Sequence, residues 1–200
     1  MIFLGGVLSA QENGDPTNRK GETMISASAG LSLASLFLQG VLEFDSDVDA
    51  SSTPVFNLTG EYRVFQELGV GLGLGVSATI QDIYADVKDH TYMNDIGAMV
   101  KEDFELDVYR WQIAFVPRVY FGEFEDVDLY SGLRLGMETL SVSTTSNDPN
   151  VYSELDLGPS LSLAVTLIGF RYYVVDTFGF NVDLNLGSPY ISSFGIQLRF

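Results

Sequence analysis

The sequence predicts an all-β fold in which eight antiparallel strands run up and down into a barrel, and three observations predict it. Apolar and polar residues alternate with period two over most of the chain, the mark of a strand with two unlike faces. Gly (20), Phe (14) and Tyr (10) are abundant while charged residues make up only 18%, below the roughly 25% usual in soluble domains. The connections between the alternating runs are long and short by turns.

Residues 1–10 are apolar and rich in small residues. They resemble the rear half of a secretory signal whose positively charged leading region is missing. Residues 11–22 are polar, with Gly, Pro and Asn, and read as a flexible leader. The barrel is expected over residues 23–200.

The first strand starts at Met24, with Ile25, Ala27, Ala29, Leu31 and Leu33 on one face and Ser26, Ser28, Gly30 and Ser32 on the other. A long loop containing Glu43, Asp45, Asp47 and Asp49 follows. The second strand alternates Phe56, Leu58, Gly60, Tyr62 and Val64 with Asn57, Thr59, Glu61 and Arg63, then turns tightly at residues 66–69. The third sets Val70, Leu72, Leu74, Val76, Ala78 and Ile80 against Gly71, Gly73, Gly75, Ser77, Thr79 and Gln81. A helix would tolerate three such glycines poorly.

Residues 82–103 form a long polar segment holding the only histidine, His90. The fourth strand places Tyr109, Trp111, Ile113 and Phe115 opposite Arg110, Gln112 and Ala114, and Pro117 is expected to cause a bulge or a loss of pairing. After a short acidic turn at 123–126, the fifth sets Leu129, Leu133, Leu135 and Met137 against Tyr130, Gly132, Arg134 and Glu138. A polar loop spans 143–154. The sixth strand runs from about 155 to 175, and its apolar phase changes between Val165 and Phe170, which calls for a β-bulge near 167–169. A turn at 176–179 leads to the seventh strand, with Phe180, Val182, Leu184 and Leu186 facing away from Asn181, Asp183 and Asn185. A short link at 187–189 leads to the eighth, which ends the chain.

Some chemistry is excluded at once. With no cysteine there is neither a disulfide framework nor a thiolate metal site. A formal net charge of −17 speaks against a nucleic-acid partner, which needs a cationic face. No run approaches the ~18 continuous apolar residues of a spanning helix, so a membrane could be crossed only by a closed sheet.

Which face points inward is decided by the arginines. Arg63, Arg110, Arg118, Arg134, Arg171 and Arg199 all fall on the polar parity of a strand, Arg171 by way of the bulge. Apolar residues pointing inward, as in a soluble ligand-binding barrel, would overfill the narrow interior of eight strands. With the apolar face outward, the arginines share a lumen with Glu61, Asp107, Asp128, Glu138 and Asp183, where a lone charge is costly and a paired one is not. Aromatics near strand ends (Tyr62, Phe65, Tyr109, Trp111, Phe121, Tyr172, Phe180, Tyr190 and Phe200) would then supply interfacial belts. The expectation is an eight-stranded antiparallel up-and-down transmembrane β-barrel with short periplasmic turns, longer external loops and a plugged polar lumen.

The final strand carries the resemblance. Ser193, Gly195, Leu198 and the terminal Phe200 match the carboxy-terminal membrane-insertion signal of bacterial outer-membrane barrels. Across residues 23–200 the chain resembles the small eight-stranded barrels of the OmpA and OmpX type in pattern, turn placement and this signal. The resemblance implies a monomer in the outer membrane, contacting its lipid and delivered through the barrel-assembly machinery. It brings no catalytic motif and no cofactor.

Three local patterns invite sharper readings. His90 could serve a lipid-modifying enzyme of this membrane, but nucleophile, base and orienting group must occur together, and a solvated loop histidine is the plainer reading. Asp45, Asp47 and Asp49 have the alternate spacing of a calcium loop without its glycine and bidentate glutamate, so with Glu43 they read as a solvated acidic external loop. Gly71, Gly73 and Gly75 lack the Lys and Thr of a phosphate loop and read as inward glycines relieving crowding. The expected role is structural, or surface contact through acidic loops; a narrow porin-like channel, the lipid enzyme and the soluble barrel are the rivals.

Overall fold

The computed structural model describes residues 20–32, 35–36, 48–94, 97–122, 124–148 and 153–200. The apolar segment 1–10, the leader as far as residue 19, and Glu43, Asp45 and Asp47 lie outside the described residues. Nine strands are present among those described: β1 (Thr23–Leu31), β2 (Val48–Ser52), β3 (Val55–Glu67), β4 (Val70–Met93), β5 (Met99–Phe121), β6 (Val127–Thr144), β7 (Glu154–Val175), β8 (Phe178–Gly187) and β9 (Ser192–Arg199).

Every pairing is antiparallel, and neighbours follow the order β2-β4-β3-β1-β9-β8-β7-β6-β5, with β5 pairing back onto β4. Eight strands therefore pair in a ring. The ninth, β2, was expected to be loop. It occupies the same edge of β4 as β3 does, with Ser52 opposite Ile83 and Phe56 opposite Ile80. Pro54 has no N–H to give and divides what would otherwise be one strand.

The ends of the ring differ. At one, Leu68 and Gly69 (φ 51° and 76°) close the β3–β4 hairpin, as a two-residue primed turn requires. Tight connections also join β5 to β6 and β7 to β8 there. Phe200 is docked at this end, its N–H donating to Thr23 O at 2.9 Å and its O accepting from Thr23 N at 3.0 Å. At the other end β4 and β5 run on to Met93 and Met99. The expected long polar segment 82–103 is thus mostly hairpin, a correction to the sequence reading.

The anticipated bulge in β7 is present: Tyr130 pairs with Gly169 but Gly132 with Thr166, an extra residue on β7. At Pro117 the pairing with β6 lapses between Phe115–Leu135 and Arg118–Gly132 without a change of register, while pairing with β4 continues. Only a loss of pairing results.

Leu133 is 43% exposed, whereas Arg63 is 0% and Arg134 4% exposed. In the part of β3 to β9 nearer the tight turns the outward positions of the ring are mostly apolar, and the inward ones are mostly Ser, Thr, Asn, Gln, Tyr, Gly and charged residues, with small apolar ones such as Ala114, Val116 and Ala164 among them. On β4 the outward apolar run is Val70 to Ile80, eleven residues, which matches the ~9–11 residues of a membrane-crossing strand.

Above that run the two faces exchange character. Residues opposite one another across β4, β5, β6 and β7 give an inward row of Ile83, Val108, Val142 and Leu155. The adjacent outward rows read Asp82, Tyr109, Ser141, Asp156 and Tyr84, Asp107, Ser143, Glu154. Alternation persists here with its polarity reversed. Asp107, expected in the lumen, is exposed on this outer face.

A candidate functional site in the lumen

Inward positions of the ring carry a charge network in two storeys. Nearer the turn end, Glu61 on β3 accepts hydrogen bonds at Oε2 from Arg118 Nη1 (2.5 Å) on β5 and Arg171 Nη2 (2.8 Å) on β7. The Tyr120 hydroxyl donates to Glu61 Oε1 and accepts from Arg171 Nη1. Beside them Arg63 donates to Asp128 Oδ2 on β6 (2.8 Å) and to Gln66 Oε1 (3.0 Å), and Tyr173 OH also donates to Asp128 Oδ2 (3.0 Å). Tyr130 OH donates to Asp183 on β8, which lies 3.8 Å from Arg118 Nη2.

Tyrosine rings fill the space between the guanidinium groups. Arg63 Cζ lies 3.8 Å from the Tyr120 ring centre and Arg171 Cζ 4.6 Å from that of Tyr130, distances at which a cation is attracted to a ring face.

The second storey is sparser in charge. Arg134 on β6 has neutral partners: Asn57 Oδ1 (3.1 Å), Thr79 Oγ1 (3.3 Å), Gln112 Oε1 (3.4 Å) and Tyr190 OH (2.6 Å). Arg110 donates to Pro189 O (2.6 Å), with Glu138 Oε1 3.8 Å from its Nε, and Ser188 Oγ donates to Glu138 Oε2 (2.7 Å). The 188–190 link therefore dips into the lumen. Tyr190, expected in an aromatic belt, is buried there.

The glycines of β4 make room for this. A Cβ on Gly73 would meet Glu61 Oε1 and come within 3.0 Å of Tyr120 Cε2, and one on Gly71 would lie 3.1 Å from Gln66 Oε1. Gly169, brought inward by the β7 bulge, lies against the Tyr130 ring, where a Cβ would collide.

Of the residues the sequence assigned to this network, Glu61, Arg63, Arg110, Arg118, Asp128, Arg134, Glu138, Arg171 and Asp183 meet inside. Arg199 sits at the rim of the turn end, its Nε donating to Asp176 O (2.6 Å) with Glu22 Oε1 at 4.0 Å, and Asp107 lies outside. The buried tyrosines 120, 173 and 190 were missed; of these Tyr120 and Tyr173 share the parity of Arg118 and Arg171 on their own strands, a signal that was there to be used.

Ser193 and Gly195 face inward, while Leu198 and Phe200 face outward. Asp49 belongs to β2 instead of a loop and accepts from Lys88 Nζ at 3.2 Å. His90 Nε2 lies 3.0 Å from Asp148 Oδ2, and no serine or threonine hydroxyl bonds to His90 among the described residues.

No protein-family model matches the chain, and no curated protein matches it in sequence. In structure it is similar to the N-terminal β-barrel domain of Pseudomonas aeruginosa OprF, at 13% identity and a TM-score of 0.53, covering 90% of this chain and 98% of that one. Ail of Yersinia pestis also matches (14% identity, TM-score 0.46, 90% and 99% covered), as does OprG of Pseudomonas aeruginosa (11%, 0.44, 94% and 99%). With an antiparallel ring of strands, an apolar exterior and a charged interior, the chain has the fold of the small bacterial outer-membrane β-barrels of the OmpA and OmpX type.

Proposed function

We propose that this chain is an integral outer-membrane β-barrel whose lumen is plugged by its own charge network and whose role is structural or one of surface contact. The observation that carries this reading is the outward apolar band of β4, Val70 to Ile80, ending abruptly at Asp82. A soluble protein seldom exposes an apolar surface so large and continuous. A bilayer requires one of this height, with all backbone groups paired within the sheet.

In this reading the end of the ring with the tight turns, where Thr23 and Phe200 pair, faces the periplasm, and the long β4–β5 hairpin stands outside the cell. The acidic outward rows begin where lipid headgroups replace hydrocarbon. Inside, five guanidinium groups (Arg63, Arg110, Arg118, Arg134, Arg171) face four carboxylates (Glu61, Asp128, Glu138, Asp183) among the described residues. Their direct contacts, and the tyrosine rings that lie against Arg63 and Arg171, support a plug over an open pore. His90 meets the Asp148 carboxylate and, among the described residues, no serine or threonine hydroxyl, which supports a role without catalysis. Lipid and, during assembly, the insertion machinery acting on β9 are the partners this reading requires, for a monomer without a cofactor.

Gel mobility with and without heating tests the insertion, because a membrane barrel stays compact in detergent until heated. Purified protein should run as two species, and a chain that remains soluble and monomeric without detergent would overturn the proposal. Planar-bilayer recording tests the plug: no discrete conductance steps are expected, and regular steps would favour the narrow channel.

A further inference from the structure

The 188–190 link enters the lumen between two fixed points, at the end of the ring opposite the tight turns. At Gly187 the backbone leaves β8 with φ 120°, and a Cβ there would lie 2.5 Å from Leu163 O, so the turn needs a residue without a side chain. At Ile191 the chain rejoins the sheet, its N–H donating to Leu31 O (2.8 Å) and its O accepting from Asn185 N (2.7 Å). Between these points neither Ser188 nor Tyr190 makes a backbone–backbone hydrogen bond among the described residues, and β8 pairs with β9 only as far as Leu184 and Ser192.

Side chains hold the link down instead. Ser188 Oγ donates to Glu138 Oε2 (2.7 Å), Pro189 O accepts from Arg110 Nη2 (2.6 Å), and Tyr190 OH accepts from Arg134 Nη2 (2.6 Å). These three wall residues stand on β5 and β6, which β7 separates from β8, so the link reaches across the lumen. The Tyr190 ring is seated against β1 where Gly30 leaves room, since a Cβ on Gly30 would come within 2.9 Å of Tyr190 Cγ.

From this geometry we infer that the 188–190 link is a releasable stopper: it shuts the second storey from the outer end, and when its side-chain bonds break it lifts about Gly187 and Ile191 and lets solvent into that storey. The inference rests on the reading of the chain as a plugged barrel. Hinges of this kind are a few element-terminal residues that absorb the backbone change. Lifting the link breaks no rung of the β8–β9 ladder, which runs from Phe178–Leu198 to Leu184–Ser192. It also leaves intact the bonds of the first storey, where Glu61 holds Arg118 and Arg171 and Asp128 holds Arg63. The lumen is therefore closed in two layers, and the outer one opens while the inner one stays shut.

Ser77 supplies the reporter. It lies on β4 between Gly73, which Glu61 and Tyr120 overhang, and Thr79, which Arg134 reaches. It is 1% exposed and its hydroxyl has no hydrogen-bond partner, so Ser77→Cys breaks no bond, and the chain has no other cysteine. On intact cells, a small membrane-impermeant anionic thiosulfonate should modify Ser77→Cys much more slowly than Met99→Cys at the exposed hairpin tip. Adding Arg110→Ala should raise the rate at residue 77 about tenfold, the scale of one lost hydrogen bond from a charged donor, and adding Ser188→Ala should raise it as well. Lys101→Ala, which frees Asp89 on the hairpin, should leave the rate as it is. Heat-dependent gel mobility of the same samples keeps the two readings apart. Loss of the compact form in Ser77→Cys alone would count against the barrel itself. Compact Arg110→Ala and Ser188→Ala variants with an unchanged rate, a rise as large in Lys101→Ala, or a single Ser77→Cys variant reacting as fast as Met99→Cys would each overturn the stopper.

Discussion

Glu61 on β3 and Tyr120 on β5 are hydrogen-bonded across β4, over the position of Gly73. The strand between them is crossed only because Gly73 offers no side chain. Gly73→Ala should therefore force the carboxylate or the ring aside, at about 1–3 kcal/mol, the usual cost of overpacking. Gly60 is an outward glycine with nothing within 4 Å of its would-be Cβ, so Gly60→Ala should be close to neutral. Urea unfolding in lipid vesicles measures both, and equal midpoints for the two variants would mean that the lumen at Gly73 is not packed as described.

Glu61 serves two guanidinium groups at once, those of Arg118 and Arg171, whereas Asp128 is bonded among the described residues to Arg63 and to the Tyr173 hydroxyl. Glu61→Ala leaves Arg118 and Arg171 buried without their shared anion, a change that costs about 3–5 kcal/mol when a buried pair is broken. Arg63 keeps Gln66 and the Tyr120 ring after loss of its carboxylate. Asp128→Asn should accordingly lose less than half as much as Glu61→Ala in the same unfolding measurement. A larger loss in Asp128→Asn would mean that Tyr173 and Arg63 depend on that carboxylate more than their other contacts suggest.

The ring and its orientation were legible because each depends on parity within one strand. Six arginines on the polar parity pointed inward, and five of them lie there, Arg199 stopping at the rim. The β7 bulge was legible for the same reason, as a change of phase between Val165 and Phe170. Partners were not legible. Glu61 and Arg118 meet across 57 residues through the registers of two ladders, and nothing in either strand's alternation fixes those registers.

The reversal above Gln81 was hidden by its own acidity. Asp82, Asp86, Asp89, Glu102 and Asp103 made residues 82–103 look like loop, although Ile83, Ala85 and Val87 keep the alternation at opposite polarity. Asp107 shares the parity of Tyr109 and Trp111, so the alternation of its own strand already pointed it outward and not into the lumen.

The assignment of ends can be tested because the chain has no native cysteine. Met99→Cys, exposed at the tip of the β4–β5 hairpin, should react with a membrane-impermeant maleimide on intact cells. Leu68→Cys, fully exposed in the β3–β4 turn, should react only after the outer membrane is permeabilised. The reverse pattern would place the long hairpin in the periplasm.

Arginine scanning along one face of β4 separates the bilayer from water most directly. Val76 is 59% exposed near the middle of the outward apolar run, and Asp82 lies just beyond its end on the same face. In hydrocarbon, Val76→Arg should cost about 2–4 kcal/mol, while Asp82→Arg, near the interface, should cost about 0–1. In water an exposed arginine at residue 76 would be within about 0.5 kcal/mol of neutral, because nothing there has to be desolvated. Unfolding free energies of the two variants in lipid vesicles give the difference, and a Val76→Arg value no larger than that of Asp82→Arg would mean that the outward leucines and valines never meet a membrane.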